Sequence, residues 1–141
     1  MPQWMIYALL SAIAAAATAI LAKIGVKNVD SNLATAIRTV VIVIFAWGIV
    51  LIRGQAGGLR SLDRTSVIFL ILSGIATGVS WLFYFRALQL GPASKVAPID
   101  KLSLVFTIIL ASLILKEKTG PLVWLGAGLM TAGSVMIALT R

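Results

Sequence analysis

LATAIRTVVIVIFAWGIVLI, residues 33–52, is a run of twenty residues with a single charge, Arg38. About 20 apolar residues in a helix cross the hydrocarbon core of a bilayer, so this run predicts a transmembrane helix. Four further runs, one before it and three after it, have similar length and apolarity. The five predicted spans are residues 4–24, 33–52, 65–85, 93–115 and 121–140.

The composition supports a lipid environment. Hydrophobic residues make up 60% of the 141 residues and charged residues only 11%, whereas a soluble domain has roughly half apolar and a quarter charged residues. Lipid accepts apolar side chains and requires only that backbone polar groups be paired within the chain. We therefore expect an all-α, multi-pass membrane protein with one domain, residues 1–141.

The absent residue types restrict the chemistry. The chain has no cysteine and no histidine, which excludes thiol catalysis, disulfides and the ordinary zinc ligands. No nucleotide-binding motif is present either. We expect no metal, no cofactor and no enzymatic activity. The net charge of +8 is scattered over the loops, so it indicates membrane-flanking charge and not a nucleic-acid partner.

The flanking cations do not favour one orientation. Loops rich in Lys and Arg stay on the cytoplasmic side. Five flanking cations fall on each face when Arg38 and Lys101, which lie within apolar runs, are set aside. The N-terminal face has Arg53, Arg60, Arg64, Lys116 and Lys118, and the other face has Lys23, Lys27, Arg86, Lys95 and Arg141. Either one orientation wins despite this balance, or the chain inserts both ways and pairs with an inverted copy of itself.

The C-terminal part carries a family pattern. Residues 86–139 contain Ala87-Leu88 before Gly91-Pro92-Ala93, then Val105-Phe106-Thr107, Glu117 between two lysines, Gly126-Ala127 and Gly133. This stretch resembles the C-terminal half of an EamA domain of the drug/metabolite transporter superfamily. Lys23 and Arg38 extend the resemblance more loosely toward the N-terminus.

The resemblance implies a fold and an assembly. Most relatives carry two such domains and ten helices, whereas this chain has one repeat of five, which implies completion by an inverted second copy in a homodimer. By resemblance to small multidrug transporters, the last helix is expected in the subunit interface. One departure matters: Leu104 stands where duplicated relatives often have a proline, so their site geometry is not transferred.

Arg38 is the first candidate for binding a solute or an ion. A charge at a helix centre costs roughly 2.5 to 3.5 kcal/mol on insertion scales, so an intramembrane charge suggests a function. Arg38 lies five residues inside its run, and its long side chain could instead reach back to the headgroups. Both interpretations stay open.

Asp100 and Lys101 allow two interpretations as well. Helix four could begin near Pro98, which suits a first helical position, and would then place the pair at the membrane interface. Alternatively, helix four begins near Ala93, and Pro98 interrupts it beside two buried ionisable groups, as in transporter cavities. Adjacent residues point about 100° apart on a helix, so each group is expected to need another partner.

Two polar faces are further candidates. Asp100, Ser103 and Thr107 share a face at i, i+3 and i+7. The Asp100 carboxyl could take up and release protons, unless a nearby cation opposes protonation. A second face lies on helix three and comprises Ser73, Thr77, Trp81 and Tyr84. The rings of Trp81 and Tyr84 could hold an organic cation or an aromatic solute, or could form an aromatic belt at the membrane interface.

Small residues predict where helices approach closely. Gly74 and Gly78 lie on helix three, and Gly126 and Gly133 lie on helix five. Glycines let membrane helices pack at short distance, within a chain or between subunits.

Together these features predict a secondary transporter that exports a small solute, a metabolite or a drug-like compound. It would work by alternating access in an antiparallel homodimer and could be proton-coupled. The alternative is a non-transporting accessory subunit or a lipid-flipping subunit of a membrane complex.

Overall fold

The computed structural model describes residues 2–140, and within that range it contains helices and no strand. The helices are α1 (Gln3–Gly25), α2 (Ser31–Ile52), α3 (Arg64–Leu90), α4 (Ala93–Asp100), α5 (Ser103–Ile114) and α6 (Pro121–Leu139), and a 3₁₀ helix spans Gln55–Ser61. Five segments are long and apolar enough to cross a membrane, because α4 and α5 together make the fourth, Ala93–Ile114. The predicted fold class is confirmed.

Aspartates start two of the spans. The Asp30 carboxylate accepts hydrogen bonds from the backbone N–H groups of Asn32 and Leu33, at 2.9 and 3.2 Å. It thereby satisfies donors that the first turn of α2 leaves free. At the start of α3, hydrogen bonds from the Ser66 hydroxyl and backbone N–H hold the pKa of the Asp63 carboxyl below its usual value. Both caps lie where the sequence has an aspartate before an apolar run.

The third helix is longer than the apolar run that predicts it. It continues to Leu90, five residues past the expected end at Phe85. Arg86 to Leu90 contain no helix breaker, and Gly91-Pro92 is the first pair that cannot continue a helix. The helix α3 therefore extends five residues beyond the end of its apolar run.

The fourth span begins at Ala93 and is broken after Asp100. Pro98 lies inside α4, so a helix that starts near Pro98 is the wrong alternative. Lys101 and Leu102 form a turn, where Leu102 N–H donates to the Ile99 carbonyl and Leu104 N–H to the Lys101 carbonyl, both at 3.0 Å. These are the tighter i to i+3 bonds of a 3₁₀ turn. The interruption thus follows the proline by three residues.

The chain divides into two compact units. One comprises Ala22–Gln89, and the other comprises the residues up to Leu21 together with those from Leu90 onward. In the first unit Val26, Phe85 and Leu88 are buried, and so are the hydroxyl residues Ser31 and Thr35. In the second, α4 and α5 both pack against α6, and the Lys95 ammonium donates to the Thr140 carbonyl at the end of α6.

Most of the apolar surface of the spans is not covered by protein. At most 11% of the residues in any of the five apolar windows are buried. Such exposure would be unstable in water, but it suits helices whose outer faces contact lipid.

Candidate functional site

Arg38 lies against two aromatic rings inside the membrane-spanning part of the Ala22–Gln89 unit. Its guanidinium carbon is 4.6 Å from the centroid of the Phe85 ring and 5.1 Å from that of Trp81. Both distances are within the roughly 6 Å range of cation–π attraction. The i, i+4 spacing of Trp81 and Phe85 places the two rings on one face of α3.

The depth of the guanidinium follows from its neighbours. Arg38 is seven residues from the start of α2, about 10 Å along the helix. Trp81 and Phe85 are nine and five residues before the end of α3, or about 13 and 8 Å from that end. The guanidinium thus contacts α3 at about its own depth, near the end of the apolar run at Phe85.

The N–H groups of Arg38 remain available. The guanidinium has five N–H donors, and its contacts within residues 2–140 are with the two rings. No buried polar side-chain atom in that range lacks a hydrogen-bond partner, so the remaining N–H groups of Arg38 are accessible from outside. Ring faces attract the charge but do not accept conventional hydrogen bonds from the planar edge. Arg38 therefore presents a cation with unused donors inside the span.

The predicted face of helix three is partly used within the chain. The Thr77 hydroxyl donates to the Ser73 carbonyl at 2.9 Å, a bond within its own helix. The Tyr84 ring meets the Phe85 ring edge-on, with centroids 5.9 Å apart. Trp81 was predicted to bind an organic cation, but the guanidinium of Arg38 lies over its ring.

The sequence pattern did not identify Phe85. It is fully buried, and its ring is the closer of the two to Arg38. The signal was present, since residues 73, 77 and 81 are four apart and the next position in that series is 85.

Asp100 and Lys101 pair with each other, contrary to the expectation that each needs another partner. The Lys101 Nζ lies 3.5 Å from the Asp100 carboxylate. The 100° separation applies within a continuous helix, but α4 ends at Asp100 and Lys101 belongs to the turn. The side chains of Asp100 and Lys101 are 35% and 52% exposed, so the pair is accessible and not enclosed.

The polar face of the fourth span is also divided by this break. Ser103 begins α5, and the Thr107 hydroxyl donates to the Ser103 carbonyl at 2.8 Å. These two residues share a helix, but the turn separates them from Asp100, so the i, i+3, i+7 register is not continuous.

The comparisons with known proteins decide the family. The model of the EamA-like transporter family matches residues 2–139. The chain belongs to the EamA-like transporter family. The EamA-like chain is also 48% identical over 136 residues to a Sinorhizobium protein described as an uncharacterized transporter in the cobO 3' region, a match that covers 96% of each. No solved structure matches it.

Family membership indicates the general activity. A transporter family and a relative named as a transporter point to membrane transport and not to catalysis. The predicted resemblance is confirmed, and it covers both units of the EamA-like chain.

The glycines of the EamA-like chain have open surroundings. A Cβ added at Gly74, Gly78, Gly126 or Gly133 would meet no atom within 4 Å beyond the adjacent residues and the backbone of its own helix. Their faces are therefore free to approach lipid or another protein, and close packing through them remains a prediction.

Proposed function

We propose that this chain is a secondary transporter that exports a small organic solute with an anionic group across a bacterial-type inner membrane. It works as an antiparallel homodimer by alternating access. The family supports transport, and Arg38 supports the choice of solute.

The observation that carries the proposal is the position of the Arg38 guanidinium. A cation inside a membrane span is costly, and the two rings offset only part of that cost, by about 0.5–2 kcal/mol for each cation–π contact. The unused N–H groups form a planar fork that matches the two oxygens of a carboxylate or a phosphate group. An anionic group on the solute supplies a charge and acceptors, whereas the described chain gives Arg38 two ring contacts.

The same geometry disfavours an organic cation at Trp81. A cation that approached this ring would meet the guanidinium already placed over it, 5.1 Å from the ring centroid. Two cations at one ring repel each other, more strongly in a medium of low dielectric constant than in water.

A second copy gives the site its alternating access. A single repeat of five spans presents a broken fourth span, and paired inverted repeats form transport sites near the bilayer midplane. The open faces of Gly126 and Gly133 on α6 offer a surface for the partner subunit. In this arrangement Asp100 is the candidate site of ion coupling, and its ion pair with Lys101 must open before another cation binds there.

Efflux from intact cells tests the proposal for any exported solute. Cells that express the wild type, Arg38→Gln or Arg60→Gln are compared by mass spectrometry of the medium with cells that carry an empty vector. We expect one or a few anionic compounds to accumulate outside wild-type cells, and at least about tenfold less with Arg38→Gln, which loses a charge-assisted contact.

Arg60→Gln is the matched control, since it removes the same charge from the exposed 3₁₀ helix and is expected to export normally. A medium unchanged by wild-type expression would contradict transport and support the accessory-subunit alternative. Export of cations, or export unaffected by Arg38→Gln, would contradict the role of Arg38. Proton flux that persists in Asp100→Asn would remove Asp100 from coupling.

A further inference from the structure

A basic cavity lies between the C-terminal ends of α1 and α3. It has a volume of about 650 Å³, and all of its lining belongs to the Ala22–Gln89 unit. Three cations and an amide line it together with aliphatic side chains: Lys23, Lys27, Arg86, Gln89, Ile24 and Leu88. None of these residues belongs to the Arg38 site.

Hydrogen bonds hold the wall of the cavity in place. The Gln89 amide donates to the carbonyls of Val26 and Val29, at 3.2 and 2.6 Å, and so ties the end of α3 to the segment after α1. Its oxygen accepts a bond from Arg86 Nη1 at 3.2 Å. The Lys23 ammonium donates to the Leu88 carbonyl. These bonds fix part of the wall of the cavity, and the exposed Lys27 and Arg86 side chains lie at its open side.

Interaction with the end of a helix explains one of the three cations of the cavity but not the other two. A cation at a helix C-terminus interacts favourably with the free carbonyls there, which accounts for Lys23. Lys27 lies two residues past the end of α1, and Arg86 uses one of its five donors on Gln89. Both side chains are exposed, and neither pairs with a carboxylate in the described range. Asp30, the acid closest to Lys27 in sequence, is engaged in capping α2.

The position identifies the ligand chemistry. α1 and α3 are membrane spans, so their ends lie at the level of the lipid headgroups. Basic pockets between spans at this level suit phosphate-bearing headgroups, and Ile24 and Leu88 offer apolar contact to the glycerol and upper acyl region. We propose that this cavity binds the phosphate group of an anionic phospholipid, with Lys27 and Arg86 as its ligands.

Lipid titration of the purified full chain tests the site. The chain is delipidated in neutral detergent and titrated with phosphatidylglycerol or with phosphatidylcholine of the same acyl chains, and bound lipid is counted by native mass spectrometry. We expect the wild type to bind phosphatidylglycerol at least about tenfold more tightly than phosphatidylcholine. In Lys27→Gln/Arg86→Gln we expect about 30-fold weaker binding of phosphatidylglycerol, since two cations near an anionic headgroup are lost.

Two control variants separate the pocket from general charge and from misfolding. Arg60→Gln/Arg64→Gln removes the same charge from the 3₁₀ helix and the start of α3, at the other end of α3 from the cavity. It is expected to bind as the wild type does. Lys27→Arg/Arg86→Lys keeps both charges and is expected to retain binding, which shows that the positions tolerate substitution. Circular dichroism checks the helix content of each variant.

Three results would overturn the proposal. Equal loss in both neutral double variants would mean that net charge, and not this cavity, attracts the lipid. Equal affinity for the two lipids in the wild type would contradict the choice of an anionic phospholipid, because phosphatidylcholine carries the same phosphate group but no net charge. Displacement of phosphatidylglycerol by millimolar inorganic phosphate would assign the cavity to a free phosphate group instead of a lipid.

Discussion

At the scale of residues, the contact between Arg38 and Trp81 is open to direct measurement. A double-mutant cycle of Arg38→Gln and Trp81→Leu isolates the interaction of the two side chains. We expect a coupling free energy of about 0.5–2 kcal/mol, because the guanidinium lies 5.1 Å from the ring centroid in a partly desolvated site. Unfolding in mixed detergent micelles with increasing SDS gives the free energies.

Trp47 provides the matched control for this cycle. It is an exposed tryptophan on α2, nine residues after Arg38, and the structure gives it no contact with the guanidinium. Trp47→Leu and Arg38→Gln are expected to add within about 0.5 kcal/mol, as independent sites do. Coupling of equal size to Trp47 would mean that the effect comes from the membrane environment and not from the ring.

At the scale of elements, the break in the fourth span gives a prediction about Pro98. Pro98→Ala supplies an N–H that can donate to the Ser94 carbonyl inside α4, whereas proline in a helix interior costs up to about 3 kcal/mol. We expect a stability gain of about 1 kcal/mol and slower export, because a firmer α4 resists movement at the turn after Asp100. SDS unfolding and the efflux assay measure the two effects.

Pro121→Ala is the control, since Pro121 occupies the first turn of α6, where its missing N–H has no partner to lose. It is expected to change neither stability nor export by much. A Pro98→Ala variant that exports as fast as the wild type would show that the proline has no part in the movement.

The spans follow from hydropathy because each must cover the same hydrocarbon thickness, and Asp30 marks its helix start through cap chemistry. The break of the fourth span is a different case. Pro98 indicates that an interruption is near, but local hydrogen bonds place it at Lys101 and Leu102. The Asp100–Lys101 ion pair forms because the break lies at Lys101 and Leu102, so the pair does not follow from the geometry of a regular helix. The contact of Arg38 with Phe85 joins two helices, so the residue pattern of either helix alone does not predict it.

At the scale of the whole molecule, the balance of cations links sequence to assembly. An inverted homodimer requires that both orientations be inserted in comparable amounts. The five flanking cations on each face supply no strong bias, and every loop is short enough for the positive-inside rule to apply. A change of two charges on one face should therefore shift the population of orientations.

Reporters fused to the C-terminus measure that shift, one active only in the cytoplasm and the other only outside. We expect comparable signals from the wild type. Arg60→Gln/Arg64→Gln removes two of the five cations of the N-terminal face. That face should then lie outside and the C-terminus in the cytoplasm, since loops with more Lys and Arg stay inside. Lys27→Gln/Arg86→Gln should shift the signal the other way. Opposite shifts would tie orientation to flanking charge, whereas a single orientation in all three proteins would contradict the inverted homodimer.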